Sequence, residues 1–296
     1  MELRQLKYLV SIGEAGTFTA AAKQMYISQS ALSQQVKSIE EELGVPLFDR
    51  SRNRLQFTEA GELLHQRAKR IVKEVDDAKT AIDELEQLYR GTLRIGVVQT
   101  VNAYLMPQVV SSFSSRFPNV CLKVHELSAP RLEEKLHSHE LDMGISFRPA
   151  DYPELAFETM FEEELLFIAN RAHPLADKSR IDVKTLDKQK MVLLPEGYCT
   201  RRIWDQAAKQ TGITPEVQIE MNTIGGLLAT LQDNNSAGTI LPALTMQMKA
   251  AKPLKPIKLK NPAPKRTVGI LWRNGGYRSK AALEFARLLG EYVEDE

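Results

Sequence analysis

The sequence is poor in cysteine and has no long apolar run. Its two cysteines, Cys121 and Cys199, are far apart and in no CxxC pattern, so we expect neither a disulfide framework nor a zinc site. No run of about 18 apolar residues occurs, and the chain opens with charged residues. We therefore expect no membrane-spanning helix and no export signal, and a reducing cytoplasm fits best.

An excess of either charge is also missing. Lysine and arginine number 39 against 38 for aspartate and glutamate, so the formal net charge is +1. A chain this close to neutrality does not bind nucleic acid through bulk charge. Any DNA contact must come from a local arrangement of side chains. The 296 residues, 43% of them hydrophobic, suffice for two or three packed domains.

Motifs of the common enzyme classes are missing as well. Neither GxSxG, HExxH, a P-loop nor GxGxxG occurs, so we expect no catalytic centre and no cofactor. His137 and His139 stand two residues apart, but no cysteine or acidic pattern completes a metal site around them. Isolated cysteines are more often inert than redox-active, which leaves a redox switch at Cys121 or Cys199 as the less favoured alternative.

Two short helices are predicted at the N-terminus. An apolar helical face begins at Leu3 and continues to Val10, and the segment from Gly13 to Gly16 is expected to interrupt it. Thr17 is the expected N-cap of the second helix, from Phe18 to Met25.

The third helix has the most informative pattern. Ser28 is its expected N-cap, and Gly44 is expected to end it. One stripe is apolar and consists of Leu32, Val36, Ile39 and Leu43. The opposite face carries hydroxyls, amides and a cation on Gln29, Ser30, Ser33, Gln34 and Lys37. Such side chains hydrogen-bond base edges in a major groove, although an ordinary solvated helix face has the same composition.

Two short extended pieces around a polar turn are predicted next. The turn carries Arg50, Arg52 and Arg54, and the second piece is Leu55 to Phe57. Arginines clustered on a turn are usually only solvated. Three short helices followed by a basic hairpin, however, is the order of parts in a winged helix-turn-helix, whose wing reaches DNA backbone or a narrow minor groove.

A long uninterrupted helix is predicted from Thr58 to Tyr89. About 30 residues of helix project about 45 Å, farther than a small domain covers, so pairing with a second copy of the chain is preferred to packing within one chain. The apolar residues repeat at steps of four and three, the heptad pattern of paired helices. This seam consists of Leu64, Ala68, Ile71, Val75, Ala78, Ile82, Leu85 and Tyr89.

The chain after Gly91 alternates strand-like and helix-like segments. Residues 91–161 and 266–296 are expected to form one α/β unit and residues 162–265 a second, with one helix over Asn102 to Phe117. Two crossings between the units would leave a ligand-binding cleft. Solute-binding proteins of transport systems share this plan, but the preceding DNA-binding segment and the lack of an export signal argue against that function.

The segment from Ala15 to Leu64 resembles the signature of the LysR-type transcriptional regulators. Met25 and Ser30 depart from it, since the family usually has leucine and proline there. HPLA at 173–176, LDMGISF and GTILPA resemble phrases of the family's sensor domain, and LLPEGYCTR and EMNTIGGLL are most similar to the cyanate-responsive members. The matching signature residues are Phe18, Ala21, Ala22, Ser28, Gln29, Leu32, Ser33, Ile39, Glu40, Leu43, Gly44, Leu47, Phe48, Arg50, Thr58 and Gly61.

The resemblance implies a fold class and a function. The fold is multi-domain: an all-α winged helix-turn-helix over 1–58, a linker and dimerisation helix over 59–90, and over 91–296 an α/β effector domain of two subdomains that resembles a periplasmic binding protein. The implied function is sequence-specific DNA binding in transcription regulation, modulated by a small-molecule, anionic effector in the cleft. The implied partners are promoter DNA, the effector, RNA polymerase and the chain itself, as a homodimer through the linker helix and a tetramer of two dimers.

Site residues follow from the same resemblance. The polar face of the third helix, Gln29, Ser30, Ser33, Gln34 and Lys37, would meet the major groove. The flanking backbone or minor groove would meet Arg50, Arg52 and Arg54.

The effector cleft has its own implied residues, several of which precede helix N-termini, where open N–H groups suit an anion. Arg148 or Arg201 would supply the counter-charge, and we expect Thr100 and Thr200 to face the cleft from opposite units and bridge one anion. Plain helix capping is the alternative role for each. The residues are Gln99, Thr100, Ser128, Phe147, Arg148, Thr200, Arg201, Asn222 and Thr223.

Overall fold

The structure is a computed structural model that describes residues 1–49, 55–85, 90–149 and 152–294. The chain divides into two compact units, Met1–Arg90 with Ser138–Glu140, and Gly91–His137 with Leu141–Glu296. Within the described ranges, no helix combines the length and apolar character needed to cross a bilayer.

The first unit is helical and has its own apolar core. Leu9, Ile12, Leu32 and Ile39 lie at its centre and are fully buried. The helices are α1 (Leu3–Ala15), α2 (Phe18–Gln24), α3 (Gln29–Leu43) and α4 (Glu59–Leu85).

The expected N-caps of α2 and α3 and the expected end of α3 are confirmed, whereas α2 ends at Gln24, one residue before the expected Met25. The Thr17 hydroxyl accepts from Ala20 N at 3.2 Å, and the Ser28 hydroxyl accepts from Ala31 N at 3.1 Å. Gly44 ends α3 in the left-handed region with φ +71°, where a side chain would be strained.

The interruption expected over Gly13 to Gly16 occurs at Gly16, whose left-handed φ of +69° follows the last helical residue, Ala15. Gly13 itself lies within α1. A Cβ on Gly13 would lie 2.4 Å from His65 Nε2 on α4. The glycine therefore makes room for a neighbouring ring instead of breaking the helix.

In place of the strand expected over Leu55 to Phe57, the described residues of this segment contain an antiparallel bridge between Phe48 and Phe57. The two rings lie 4.7 Å apart between centroids. The turn that carries Arg50, Arg52 and Arg54 lies outside the described residues.

Helix α4 is buried near its start and exposed farther along. At the start of the expected seam, Ala68 is fully buried and Leu64 partly buried against the core of their own unit. Ile71 and Ile82, farther along, are 43% and 62% exposed. The positions expected at 85 and 89 fall outside the described side chains.

The second unit begins with a five-stranded sheet. Its strands are β1 (Gly91–Val98), β2 (Val120–Leu127), β3 (Met143–Phe147), β4 (Leu155–Asn170) and β10 (Lys265–Arg273). They lie in the order β2-β1-β3-β10-β4. β1 is parallel to β2 and β3, whereas β10 is antiparallel to β3 and β4. Its helices are α5 (Gln99–Tyr104), α6 (Met106–Arg116), α7 (Ala129–His137) and α10 (Lys280–Glu294).

The single helix expected over Asn102 to Phe117 is wrong, because α5 and α6 meet at Leu105. Pro107 lies in the first turn of α6, where its missing N–H costs nothing.

A second sheet extends from the far half of β4, which pairs there with β8 and β9. Apolar side chains on both faces of this sheet form two further clusters, one against α8 and one against α9. The elements are β5 (Arg180–Asp182), β6 (Lys190–Leu193), α8 (Cys199–Thr211), β7 (Glu216–Glu220), α9 (Ile224–Gln232), β8 (Ala237–Pro242) and β9 (Leu254–Lys260).

The expected boundary at residue 162 falls inside a continuous strand. β4 pairs with β10 from Leu155 to Glu164 and with β8 from Leu165 onward. One strand therefore serves both sheets, and β10 returns beside it. The division of the unit into subdomains at 161/162 and 265/266 remains a prediction.

Candidate functional site

The polar face of α3 is exposed. Ser30, Ser33, Gln34 and Lys37 are open to solvent, and the apolar stripe on the opposite side is buried except for Leu43 at 43% exposure. The helix thus presents hydroxyl, amide and ammonium groups together, as base-edge recognition requires.

Neighbouring side chains orient part of this face. The Thr19 hydroxyl on α2 donates to Gln29 Oε1 at 3.2 Å, and the hydroxyls of Ser28 and Ser30 are 3.0 Å apart. Lys37 Nζ lies 3.4 Å from Glu41 Oε1 in an exposed pair that contributes little to stability.

A cavity of about 250 Å³ lies in the second unit beyond the end of β1. Residues in the first turns of α7 and α8 line it, and the first backbone N–H groups of a helix have no intrahelical partner. Five of the nine expected effector residues line the cavity: Gln99, Thr100, Ser128, Phe147 and Thr200.

The two expected counter-charges do not line this cavity. Arg201 is 8% exposed, and its guanidinium donates to Leu194 O at 3.0 Å and Asp205 Oδ1 at 2.9 Å, so its donors are engaged within the fold. Arg148 is exposed, and its guanidinium lies 4.8 Å from the centre of the Phe157 ring. Another cation, Arg202 on α8, lines the space instead.

Asn222 and Thr223 are exposed and lie outside the lining. Asn222 contacts a cavity-lining residue through its backbone, because its carbonyl accepts a hydrogen bond from Gln99 Nε2. Thr223 is the N-cap residue of α9, but its side chain makes no cap hydrogen bond.

A buried arginine joins the two threonines that were expected to bridge an anion. Arg266 Nη1 donates to Thr100 Oγ1 at 2.7 Å and to Thr200 Oγ1 at 3.2 Å. Nη2 donates to the Tyr104 hydroxyl at 3.2 Å, and Nε donates to Glu163 Oε1 at 2.7 Å. The threonines do face each other, but a protein cation lies between them. Bridging of one anion by the two hydroxyls stays a prediction, and it requires that Arg266 give up its hydrogen bond to at least one of them.

Glu163 neutralises this cation across the two crossing strands. It lies directly opposite Arg266 in the pairing of β4 with β10, and the side chains are 4% and 1% exposed. Burial raises the pKa of the Tyr104 phenol above its usual range, so the hydroxyl stays protonated and donates to Glu163 at 2.9 Å. A charged pair at inward-facing strand positions was the sequence signal for this network, and it was missed.

Cys199 is a further cavity residue that the expected site did not include. It is the first residue of α8 and is partly exposed. Burial raises the pKa of its thiol, while the Arg266 and Arg202 guanidinium groups act in the opposite direction.

Two family models account for nearly the whole chain. "Bacterial regulatory helix-turn-helix protein, lysR family" matches residues 3–62, and "LysR substrate binding domain" matches residues 86–294. The chain belongs to the LysR family of transcription regulators. A LysR-family chain of this plan is a DNA-binding regulator with an effector-binding domain, and it is not an enzyme.

Curated relatives share this length and plan. A "Hydrogen peroxide-inducible genes activator" of Pectobacterium carotovorum subsp. carotovorum is 30% identical over 282 residues, covering 93% of this chain and 91% of the relative. A "Probable RuBisCO transcriptional regulator" of Synechocystis sp. is 31% identical over 291 residues, covering 96% and 84%.

Solved LysR-family structures agree with the fold. Full-length OxyR C199D from Pseudomonas aeruginosa has a TM-score of 0.75 at 26% identity and covers 98% of both chains. Full-length CbnR in complex with its target DNA has a TM-score of 0.68 at 20% identity, covering 98% of this chain and 99% of that one.

Proposed function

We propose that this LysR-family chain is a promoter-specific regulator whose DNA binding or activation changes when a small anion occupies the 250 Å³ cavity. The main support for this proposal is that the first turns of α7 and α8 and the Arg202 side chain all line that cavity. Helix N-termini carry partial positive charge, and a guanidinium adds a full one. The lining carboxylate of Glu126 opposes an anion and accepts a hydrogen bond from Asn102 Nδ2 at 2.7 Å, so the preference for a carboxylate or similar anion rests on the α7 and α8 ends of the cavity.

Contacts across the cavity supply the route for the response. Gln99 on α5 bonds Asn222 O after β7, and Arg266 bonds both Thr100 and Thr200. A ligand in contact with α5 and α8 therefore touches parts of both sheets. It shifts the protein only if it binds one arrangement of these parts more tightly than another.

On the DNA side, we assign base contacts to the α3 face of Gln29, Ser30, Ser33, Gln34 and Lys37. Backbone or minor-groove contacts are assigned to Arg50, Arg52 and Arg54. The exposure of the α3 face supports the first assignment, and the DNA complex of CbnR supports the DNA partner. A contact with RNA polymerase is a prediction from the family resemblance.

The proposed assembly is a homodimer through α4 and a tetramer of two dimers. Ile71 and Ile82 support it, because a helix that exposes large aliphatic side chains at heptad spacing gains free energy by covering them. The buried start of the seam limits the pairing surface to the part after Ala68.

The effector assignment is tested by thermal shift of the full chain against a panel of small carboxylates, phosphate and sulfate. Arg202→Gln should weaken the stabilising anion about tenfold, as loss of one charge-assisted hydrogen bond predicts. Lys209→Gln removes an exposed cation from the last turn of the same helix and should leave the anion's affinity unchanged. Equal effects of the two variants would reduce the role of Arg202 to general charge, and no stabilisation by any anion would refute the assignment.

A second candidate is favoured by the position of Cys199 on the cavity and by relatives named as hydrogen peroxide-inducible activators. A Cys199 thiolate attacks one peroxide oxygen, the O–O bond breaks, water leaves after protonation, and the cysteine becomes a sulfenic acid. The raised pKa of the thiol opposes this candidate, because it lowers the thiolate fraction. Mass spectrometry after peroxide treatment tests it: one added oxygen at Cys199 with altered promoter binding supports the candidate, and oxidation at the exposed Cys121 alone refutes it.

A further inference from the structure

Tyr26 has an unusual backbone conformation for its residue type. Ile27 N donates to Ala22 O at 3.0 Å and Tyr26 N to Lys23 O at 3.3 Å, the hydrogen-bond pair of a Schellman ending to α2. Tyr26 is the left-handed residue of this motif, with φ +56°. A bulky side chain in that region is strained.

Glycine takes this role at other helix ends of the chain. Gly16 after α1, Gly44 after α3 and Gly212 after α8 have φ between +69° and +71°. Tyr26 also gains nothing from packing, because 95% of its surface is exposed. A tyrosine is therefore unfavourable at this position both for its backbone conformation and for its exposure to solvent. Residues that are unfavourable for the fold in this way are frequent at functional sites.

Tyr26 lies just before α3 in the chain, near the start of the exposed face of that helix. Tyr26 is two residues before the N-cap Ser28, in the turn of the helix-turn-helix, and Ser30 and Ser33 follow in the first turns of the helix. When a recognition helix enters a major groove by its N-terminal residues, the preceding turn comes close to the phosphates at the groove edge.

We propose that Tyr26 is a DNA-backbone contact, whose phenol donates a hydrogen bond to a phosphate oxygen and whose ring packs on the adjoining sugar. This inference rests on the proposed entry of α3 into the major groove. A phosphate contact of this kind fixes the register of the helix and carries no sequence information. Tyr26 is thus a positioning residue, distinct from the base-reading face of Ser33 and Gln34.

The test uses the full chain, a duplex that it selects from a random-sequence pool, and a scrambled duplex of equal length. Tyr26→Phe should weaken both complexes about 3- to 10-fold, the range for one hydrogen bond. Tyr26→Gly should weaken both at least as much, while its Tm stays level or rises by up to about 4 °C because the left-handed strain is relieved. Tyr277→Phe, on the effector domain, is the matched control and should change neither affinity.

Two outcomes overturn the proposal. Tyr26→Phe and Tyr26→Gly with affinities within twofold of the parent on both duplexes would leave the residue without a DNA contact. A Tyr26→Phe loss confined to the selected duplex would make it a base reader and not a backbone contact. Gln34→Ala tests separately whether α3 enters the major groove. If that variant keeps the parent's preference for the selected duplex over the scrambled duplex, the result counts against groove entry by α3, whatever the Tyr26 variants show.

Discussion

The buried pair of Glu163 and Arg266 should be the most sensitive charged site of the effector domain. Arg266 has one carboxylate partner and three hydroxyl partners, on Thr100, Thr200 and Tyr104. Glu163→Gln keeps the shape of the side chain and removes its charge, which leaves a guanidinium without a counter-charge at 1% exposure.

The expected cost follows from this burial. Removing one partner of a buried ion pair costs about 3–5 kcal/mol, and the amide oxygen of the glutamine still accepts, so we expect about 3 kcal/mol. Arg266→Met should cost about 3–5 kcal/mol, because it leaves the carboxylate unpaired. The double variant buries no charge and loses only the hydroxyl hydrogen bonds, at a cost of about 1–3 kcal/mol.

The assay is urea unfolding followed by tryptophan fluorescence. Trp204 and Trp272 are the two tryptophans of the chain, and both are buried in the effector domain, so the signal reports that domain alone. Glu162→Gln is the matched control, because its pair with Lys265 on the same strands is about half exposed and should contribute less than about 1 kcal/mol. Additive single-variant costs in the double variant, or a cost below about 1 kcal/mol for Glu163→Gln, would refute the argument.

Three further predictions concern the first unit and its assembly. Aspartate at both Ile71 and Val75 should dissociate the dimer in sedimentation and weaken DNA binding, and an unchanged oligomer would assign α4 to packing within one chain. Gly61→Ala places a Cβ 1.9 Å from the backbone carbonyl oxygen of Leu47 and should lower the free energy of unfolding by about 1–3 kcal/mol, measured by thermal unfolding. Gly290→Ala, with open space around its Cβ, should be neutral or stabilising in the same measurement. Burial lowers the pKa of His65 from its ordinary 6.5, so its contribution to stability is complete above pH 6.5 and is lost as the pH falls below it. Hydrogen exchange over α1 to α3 should show this loss of stability at low pH, and His65→Phe should abolish the pH-dependent loss.

The sequence predicted those features that depend on local chemistry. Thr17 and Ser28 as caps and Gly44 as a terminator are confirmed, because a cap is decided by the few residues around it. The exposed and buried faces of α3 are confirmed except at Leu43, because helical periodicity alone assigns them.

Features that depend on distant packing were not predictable in the same way. Gly13 looked like a helix breaker because its partner, His65, is 52 positions away on another helix. Leu64 and Ala68 fit a dimer seam by spacing, but they belong to their own core. A heptad pattern reports that a stripe is covered and does not say by what.

The effector cavity likewise combines residues that local sequence predicts with residues that only the fold brings together. Gln99, Thr100, Ser128 and Thr200 were found because helix starts after strands are readable in the sequence. Arg266 and Glu163 are 103 positions apart, and only the pairing of β4 with β10 makes them neighbours. Arg201 was preferred over Arg202 as a cavity cation, since which face of α8 is turned to the cavity depends on the fold around it.

In the proposed mechanism, the Arg266 network explains how an anion acts next to a cation that already has partners. Nη1 is shared between Thr100 at 2.7 Å and Thr200 at 3.2 Å, so separation of α5 from α8 must break one of these hydrogen bonds. An anion that takes over the released N–H replaces a neutral acceptor by a charged one, and charge-assisted hydrogen bonds are about twice as strong. Glu163 remains in place on β4 and keeps the guanidinium oriented throughout. This hydrogen bond to the anion forms only in the opened arrangement, and it supplies the differential binding that any effector needs in order to shift the protein.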